Sequence, residues 1–145
     1  MLSVDPKDFL ELAEELAHQQ AREVNLRSAV SRAYYGAFNY LRSALVAKRV
    51  MFEGSAEDHG KLTRYFFNCG DKNLSMLGGW LGSLRIARNH ADYDLNSPFD
   101  RRFCDINLAM ARRAVKRFEE TDHSRMRVAI GKMKITPAPP RRRTP

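Results

Sequence analysis

The sequence has no run of about 18 apolar residues, although 43% of its 145 residues are hydrophobic. This absence excludes a transmembrane helix, which needs about 20 predominantly apolar residues. The first residues, MLSVDPKDFLELAEEL, turn acidic where a secretory signal peptide needs a basic start and an apolar segment. We therefore expect a single folded domain, a cytoplasmic location and no membrane partner.

Only two cysteines are present, Cys69 and Cys104, and neither has a C-x-x-C partner or a nearby histidine at metal-ligand spacing. Both are predicted to be reduced, half-buried thiols. The chain also lacks a Gly-rich phosphate loop, an internal repeat and any stretch of alternating apolar and polar residues. We accordingly expect no metal, no cofactor and no β-sheet.

The sequence does contain residues that typically mark the beginnings and ends of helices. Asp5 followed by Pro6 predicts the start of a first helix, because an N-cap acid and a proline at the first helical position both favour helix initiation. Asn25 is predicted to cap a longer second helix. Ser55 and Gly70 are predicted to bound a short third helix.

Two further helices follow in the second half of the chain. A fourth is predicted over about residues 73–94, and its glycines 78, 79 and 82 predict close helix contacts that compensate their low propensity. Ser97 as the cap, Pro98 at the first helical position and Asp100 as an acid in the first turn predict the start of a fifth helix. This helix reaches about residue 121 and has an apolar stripe. That stripe consists of Phe103, Ile106, Met110, Ala114 and Phe118. The fold class is thus predicted to be all-α, an antiparallel up-and-down bundle of four to five helices.

The net charge of +8 is concentrated near the carboxyl end of the chain. Residues 124–145 contain seven Lys or Arg and no acid, so residues 1–123 carry a net charge of only +1. We therefore predict a helical domain over residues 1–123 and a basic, Pro-rich, disordered tail over residues 124–145. Such a tail can bind RNA phosphates without sequence preference, and its candidate residues are Arg141, Arg142 and Arg143.

The stretch LRIARNHADYD, residues 84–94, carries charged and aromatic side chains on a helix whose other face is apolar. At 3.6 residues per turn, Arg88 and Asp92 fall at the margin of the apolar face, where an i, i+4 ion pair would explain them structurally. The outward arc consists of Arg85, Ile86, Asn89, His90 and Tyr93. Because a solvated face more often carries Glu, Lys and Gln, this arc is predicted to be a contact surface or a site.

Three segments together resemble a known family. They are AVSRAYYGAFNYLRSAL at residues 29–45, the His59–Gly60 pair that opens the next helix, and RNHADYD at residues 88–94. In this order and spacing they resemble small prokaryotic HEPN-domain proteins of the branch that carries R-x-x-A-D-Y, over about residues 7–120. The resemblance implies a helical bundle, usually a homodimer. In many relatives it also implies a metal-independent ribonuclease that acts as a toxin or defence effector.

The resemblance also implies catalytic candidates. The family's motif is an Arg, often followed by Asn, Asp or His, with a His a few positions beyond. Arg88–Asn89 matches its start but has Tyr93 in the His position, whereas Arg85 with His90 matches in a second register. The catalytic candidates are therefore Arg85, Arg88, Asn89 and His90, with Asp92 and Tyr93 in support. In the implied reaction a base takes the ribose 2′-hydroxyl proton, the oxygen attacks phosphorus, and Arg stabilises the added negative charge.

A second hypothesis is a non-catalytic module that binds a nucleotide, RNA or a partner protein such as a nucleotidyltransferase antitoxin. It is favoured by Tyr93 in the histidine position, since tyrosine is a poor base at neutral pH, and by the nearly neutral residues 1–123. In that case Tyr93 is a candidate for nucleotidylation. We interpret His59 as a hydrogen-bond partner for a neighbouring helix, and Tyr34 and Tyr35 as core and seam residues.

Overall fold

Residues 2–19 and 22–135 are described by a computed structural model, and every regular element within these two ranges is an α-helix. The all-α prediction is confirmed, but there are six helices in the described ranges rather than four or five. None of these helices is both long and apolar enough to cross a membrane. Their bounds are α1 Pro6–His18, α2 Glu23–Ala47, α3 Asp58–Phe67, α4 Lys72–Tyr93, α5 Arg101–Glu119 and α6 His123–Lys134.

Aspartate side chains begin several of these helices. As predicted, Asp5 accepts a hydrogen bond from the backbone N–H of Lys7 at the start of α1. The cap of α5 is Asp100, which accepts from the N–H of Phe103, so the prediction that Ser97 caps this helix is wrong.

The prediction that Asn25 caps α2 is also wrong. The helix begins at Glu23, and the carbonyl oxygen of Arg22 accepts from the N–H groups of Asn25 and Leu26. Glu23 places a negative charge in the first turn, which interacts favourably with the helix dipole and substitutes for a side-chain cap.

Contacts between helix ends establish the directions of the helices. Lys7 at the start of α1 pairs with Glu119 at the end of α5 at 2.7 Å, so α1 and α5 are antiparallel. Likewise, Arg27 near the start of α2 reaches the end of α4. The start of α4 lies beside the end of α5, where Arg117 contacts Met76. The long helices α1, α2, α4 and α5 therefore run alternately up and down, as in a helical bundle.

The core lies around α2, the longest helix, which contacts α1, α3, α4 and α5. Its inward residues include Tyr34, Leu41 and Leu45, which are at most 2% exposed. They pack with Phe66 of α3 and Leu84 of α4 in one continuous cluster. This arrangement brings the middle of α2 directly against the carboxyl half of α4, where the candidate residues lie.

Arg27 of α2 is hydrogen-bonded to the carboxyl end of α4. Its guanidinium is buried, and it pairs with Glu23 one turn earlier at 2.9 Å. It also donates hydrogen bonds to four backbone carbonyl oxygens, those of His90, Ala91, Asp94 and Ser97. Because the last carbonyls of a helix lack the usual partners further along the helix, this side chain stabilises the helix end. It bonds two carbonyls in the last turn of α4 and two in the turn that follows.

The apolar stripe of α5 is rotated from the predicted one. Ala114 and Phe118 are buried as expected, but Phe103 is 37% exposed and Ile106 is 52% exposed. The buried face instead includes Asn107, whose side-chain amide donates to the carbonyl oxygen of Phe103. This internal hydrogen bond lets a polar residue face the core, which the apolar pattern alone does not reveal.

The domain boundary predicted at residue 123 is corrected by α6, which occupies residues assigned to the disordered tail. Asp122 caps this helix by accepting from the N–H of Ser124. Its buried residues recur at helical spacing and are Met126, Ala129, Ile130 and Met133. The basic composition of this segment obscured that stripe. Arg141, Arg142 and Arg143 lie outside the described residues.

Close helix contact explains only one of the three glycines in α4. A β-carbon at Gly78 would lie 3.0 Å from the carbonyl oxygen of Thr63, so α3 packs directly on this position. A β-carbon at Gly79 or Gly82 would meet nothing within 4 Å. The prediction is therefore confirmed for Gly78 and wrong for the other two.

Candidate functional site

The carboxyl half of α4 has one buried and one exposed face, as predicted. Leu84, Ala87 and Ala91 are buried. Ile86 is 72% exposed and Tyr93 is 74% exposed. Arg85 and Asn89 are exposed as well, whereas His90 is only half-buried. The helix therefore presents a contiguous polar and aromatic surface outward.

Arg88 lies at the margin of the two faces and is held by aromatic rings. Its guanidinium carbon lies 5.3 Å from the ring centre of Tyr35, 5.6 Å from that of Tyr93 and 6.0 Å from that of Tyr34. Cation–π attraction of this kind is stronger where water is excluded, and the Arg88 side chain is only 12% exposed. Its Nε atom is buried without a hydrogen-bond partner among the described residues.

Asp92 accompanies Arg88 one turn later. Its carboxylate lies 3.8 Å from the Arg88 Nε, at the long end of the range for an ion pair. It also accepts a hydrogen bond of 3.0 Å from the hydroxyl of Ser31 on α2. The predicted i, i+4 pair is therefore present, and Ser31 couples it to the neighbouring helix.

His90 lies on a different side of α4 from Arg88. Its Nδ1 is 3.0 Å from a carboxylate oxygen of Asp94, and its ring packs 5.6 Å from Phe99 and 5.8 Å from Phe103. Whereas Arg88 faces the tyrosines of α2, His90 faces the start of α5. The sequence candidates Arg88 and His90 are thus not brought together within one chain.

The histidine that the fold brings towards the arginines is His59, in the first turn of α3. Its imidazole stacks on Phe38 with ring centres 4.2 Å apart and also lies against Tyr34, with ring centres 5.6 Å apart. Its Nδ1 is hydrogen-bonded to the Tyr34 hydroxyl, which confirms the interpretation of His59 as a partner for a neighbouring helix. We refer to Arg85, Arg88 and His59 as the arginine–histidine cluster.

Electrostatics link the three members of this cluster. Burial lowers the pKa of His59, and the positive charges of Arg85 and Arg88 lower it further, against a smaller opposing effect of Asp58. Burial also acts on Tyr34, where it raises the pKa to about 12, and the positive charge of Arg85 opposes this shift. At neutral pH the imidazole is therefore uncharged and the Tyr34 hydroxyl keeps its proton.

The position of the imidazole proton follows from these partners. Tyr34 is only 2% exposed, and its hydroxyl has His59 Nδ1 as its hydrogen-bond partner among the described residues. A buried hydroxyl donates its proton where an acceptor is available, so Nδ1 accepts and Nε2 carries the imidazole proton. Arg85 and His59 then offer N–H donors, and Arg88, which also faces Asp92, adds a positive charge beside them. N–H donors next to positive charge are the chemistry that binds an anion.

The sequence did not assign a functional role to His59, because it stands 26 positions before Arg85 in the printed sequence. Only the packing of α3 against α4 and α2 brings the two together. The signals in the sequence were the His59–Gly60 pair and the aromatic pair Tyr34 and Phe38, which are spaced to contact one neighbour from the same face of α2.

No group of three or more His, Cys, Asp or Glu among the described residues could hold a metal ion. The chain matches no protein-family model, and no curated protein or solved structure is significantly similar to it. The likeness to HEPN-domain proteins therefore depends on the three sequence segments alone. The functional conclusion depends on the geometry of the arginine–histidine cluster and its aromatic neighbours.

Proposed function

We propose that the protein binds single-stranded RNA at the arginine–histidine cluster. The observation that carries this proposal is that Arg88 lies over exposed Tyr93 and over Tyr34, whose hydroxyl is hydrogen-bonded to His59. The charge of Arg85 also acts on the His59 imidazole. Proteins that bind single strands combine cationic side chains for the phosphates with aromatic rings on which bases stack. Arg85 and His59 supply the phosphate contacts, and Tyr93 supplies the ring.

Arg88 has a different role from Arg85 in this proposal. Because its side chain is mostly buried, it contributes a fixed positive charge and holds Tyr93 in place by the 5.6 Å contact. Arg85 is exposed and meets the phosphate directly. The neutral imidazole of His59 adds a directed hydrogen bond without adding charge.

Metal-independent cleavage of the bound RNA is the second candidate function, and the lowered pKa of His59 favours it. A neutral imidazole beside two arginines has the components for 2′-hydroxyl attack, namely a base and positive charge for the transition state. Cleavage requires the other tautomer, with the proton on Nδ1 and a free lone pair on Nε2. The Tyr34 hydroxyl then loses its acceptor, so the geometry supports binding better than cleavage.

The remaining proposal is that the chain binds a second copy of itself through exposed faces of α4 and α5. Ile86 and Tyr93 on α4 and Ile106 on α5 are all more than half exposed. A two-fold contact between these faces would bring two copies of His90 and Arg85 towards one groove. Light scattering of the purified protein and of Ile86→Glu tests it, with a dimer expected for the first and a monomer for the second.

RNA binding is tested by fluorescence anisotropy with a labelled single-stranded RNA of about 20 nucleotides. Arg85→Ala is expected to weaken binding by about 1–1.5 kcal/mol, which is about five- to tenfold in Kd. It should also reduce the salt dependence by about 0.7 per lost phosphate contact. Arg127→Ala on α6 removes the same charge elsewhere and controls for net charge. Equal weakening in both variants would contradict a specific role of the cluster.

Cleavage is measured on the same RNA in EDTA, with His59→Gln and His90→Gln beside the parent protein. If the RNA stays intact while it binds, the protein is a binding module. If it is cut, the His59 route requires that His59→Gln abolishes cutting and His90→Gln does not. Single-stranded DNA of the same sequence shows whether the 2′-hydroxyl contributes to affinity.

A further inference from the structure

A basic cleft of about 410 Å³ lies between α4, α5 and the start of α6. It is separate from the arginine–histidine cluster, since its α4 wall faces α5 whereas Arg88 faces α2. The chain's one tryptophan and four cationic side chains line it, namely Trp80, Arg113, Lys116, Arg117 and Arg125. Among its lining residues, Glu120 supplies the one carboxylate.

The side chains of Arg113 and Arg117 both lie over the ring of Trp80. The guanidinium carbon of Arg117 lies 4.6 Å from the tryptophan ring centre, and that of Arg113 lies 5.7 Å from it. Trp80 itself is partly buried against the core, which fixes its ring. A guanidinium held over an aromatic ring still has N–H groups free at its edge, so both arginines can bind a ligand.

The charges of these two arginines are not neutralised by the protein. Neither Arg113 nor Arg117 forms an ion pair with a carboxylate among the described residues; Arg117 contacts the Met76 sulfur at 3.2 Å. Arg125, in contrast, is held by two hydrogen bonds to Asp71. The cleft therefore retains a local excess of positive charge in a chain whose first 123 residues are almost neutral.

We propose that this cleft binds a compact anion with two or three linked phosphates, as found in a nucleoside triphosphate or inorganic polyphosphate. Arg113 and Arg117 are four residues apart on α5, which corresponds to a rise of about 6 Å. A chain of two or three linked phosphates is long enough to contact both guanidinium groups at once. It also comes close to Lys116, which pairs with Glu120 at 3.7 Å. The volume falls within the range of small-molecule sites, about 300–1,000 Å³.

The position of the guanidinium groups also predicts that the nucleobase contributes little to binding. Both groups lie over the Trp80 ring, so a nucleobase would have to displace an arginine in order to stack there. Affinity is therefore expected to come from the phosphates and to be similar for ATP, GTP and tripolyphosphate. Adenosine is expected not to bind.

Trp80 provides a direct readout, because it is the one tryptophan of the chain. Its emission is followed while tripolyphosphate, ATP, orthophosphate or adenosine is added to the full chain. A saturable change with the first two, binding about tenfold weaker for orthophosphate, and no change with adenosine would support the proposal. Equal responses to ATP and adenosine, no saturation, or a response to single-stranded RNA alone would overturn it.

Variants assign the response to the cleft. Arg113→Met keeps the aliphatic stem and is expected to weaken tripolyphosphate binding about tenfold, measured by calorimetry so that altered tryptophan emission does not confuse the result. Glu120→Gln removes the opposing carboxylate and is expected to tighten binding severalfold. Arg127→Met, on α6 and outside this cleft, should bind as the parent does. Matched melting temperatures establish folding, and unchanged affinity in folded Arg113→Met would refute the site.

Discussion

Replacement of Arg27 by methionine tests whether one side chain holds the end of α4. Methionine keeps an unbranched apolar stem in the buried position but removes every donor. The Ala91 carbonyl bond is fully buried, and the other three carbonyl bonds are partly buried. A hydrogen bond from a charged donor contributes about 1.5–3 kcal/mol when buried and less where water can replace it.

The expected loss follows from these four bonds. One buried bond at about 2 kcal/mol and three partly buried bonds at about 0.5–1 kcal/mol each give about 3.5–5 kcal/mol, similar to the cost of breaking a buried ion pair. For a chain of this size each kcal/mol shifts Tm by about 2–4 °C, so Arg27→Met should melt about 7–20 °C lower. Arg27→Lys retains one charged donor and should fall between the two.

Two measurements make this prediction specific. Arg102→Met changes the same residue type at an exposed position and should alter stability by about 0.5 kcal/mol or less. Amide hydrogen exchange should accelerate at Asp94, whose N–H bonds to the His90 carbonyl, but not in α1. If Arg27→Met melts with the parent, or if Asp94 stays protected, the assignment of Arg27 as the fastener of α4 is wrong.

Three further predictions concern other parts of the fold. Because the pKa of His59 is lowered in the folded protein, the unfolded chain binds a proton more readily at this position. The free energy of unfolding should therefore fall as pH drops below about 6.5. In urea titrations, His59→Gln should flatten that pH dependence. Burial raises the pKa of the Cys69 thiol, and it raises that of Cys104 to about 11. Neither thiol should therefore react with a thiol reagent until the protein unfolds. The absorbance of the dye that the reagent releases measures this reaction. Gly78→Ala should destabilise by about 1–3 kcal/mol through contact with α3, whereas Gly79→Ala should stabilise by about 0.5–1 kcal/mol in thermal melts.

The fold was largely predictable because its signals are local. An aspartate beside proline, and apolar residues three and four apart, act within one helix and can be read from neighbouring positions. The predictions failed where a longer-range contact decides the outcome. Asn107 becomes a core residue through its bond to the Phe103 carbonyl, and α6 depends on the burial of Met126 and Met133 more than on its basic composition.

The candidate site was less predictable for a geometric reason. Residues two apart on an α-helix point about 200° apart, so Arg88 and His90, which are close in the sequence, face different neighbours. Arg88 faces α2 and its tyrosines, and His90 faces Phe99 and Phe103. Within one chain, the histidine on the same side as Arg88 is therefore His59, which α3 supplies. A role for His90 beside an arginine of this surface therefore needs a second copy of the chain. Cleavage that is lost in both Ile86→Glu and His90→Gln but kept in His59→Gln would assign the reaction to His90.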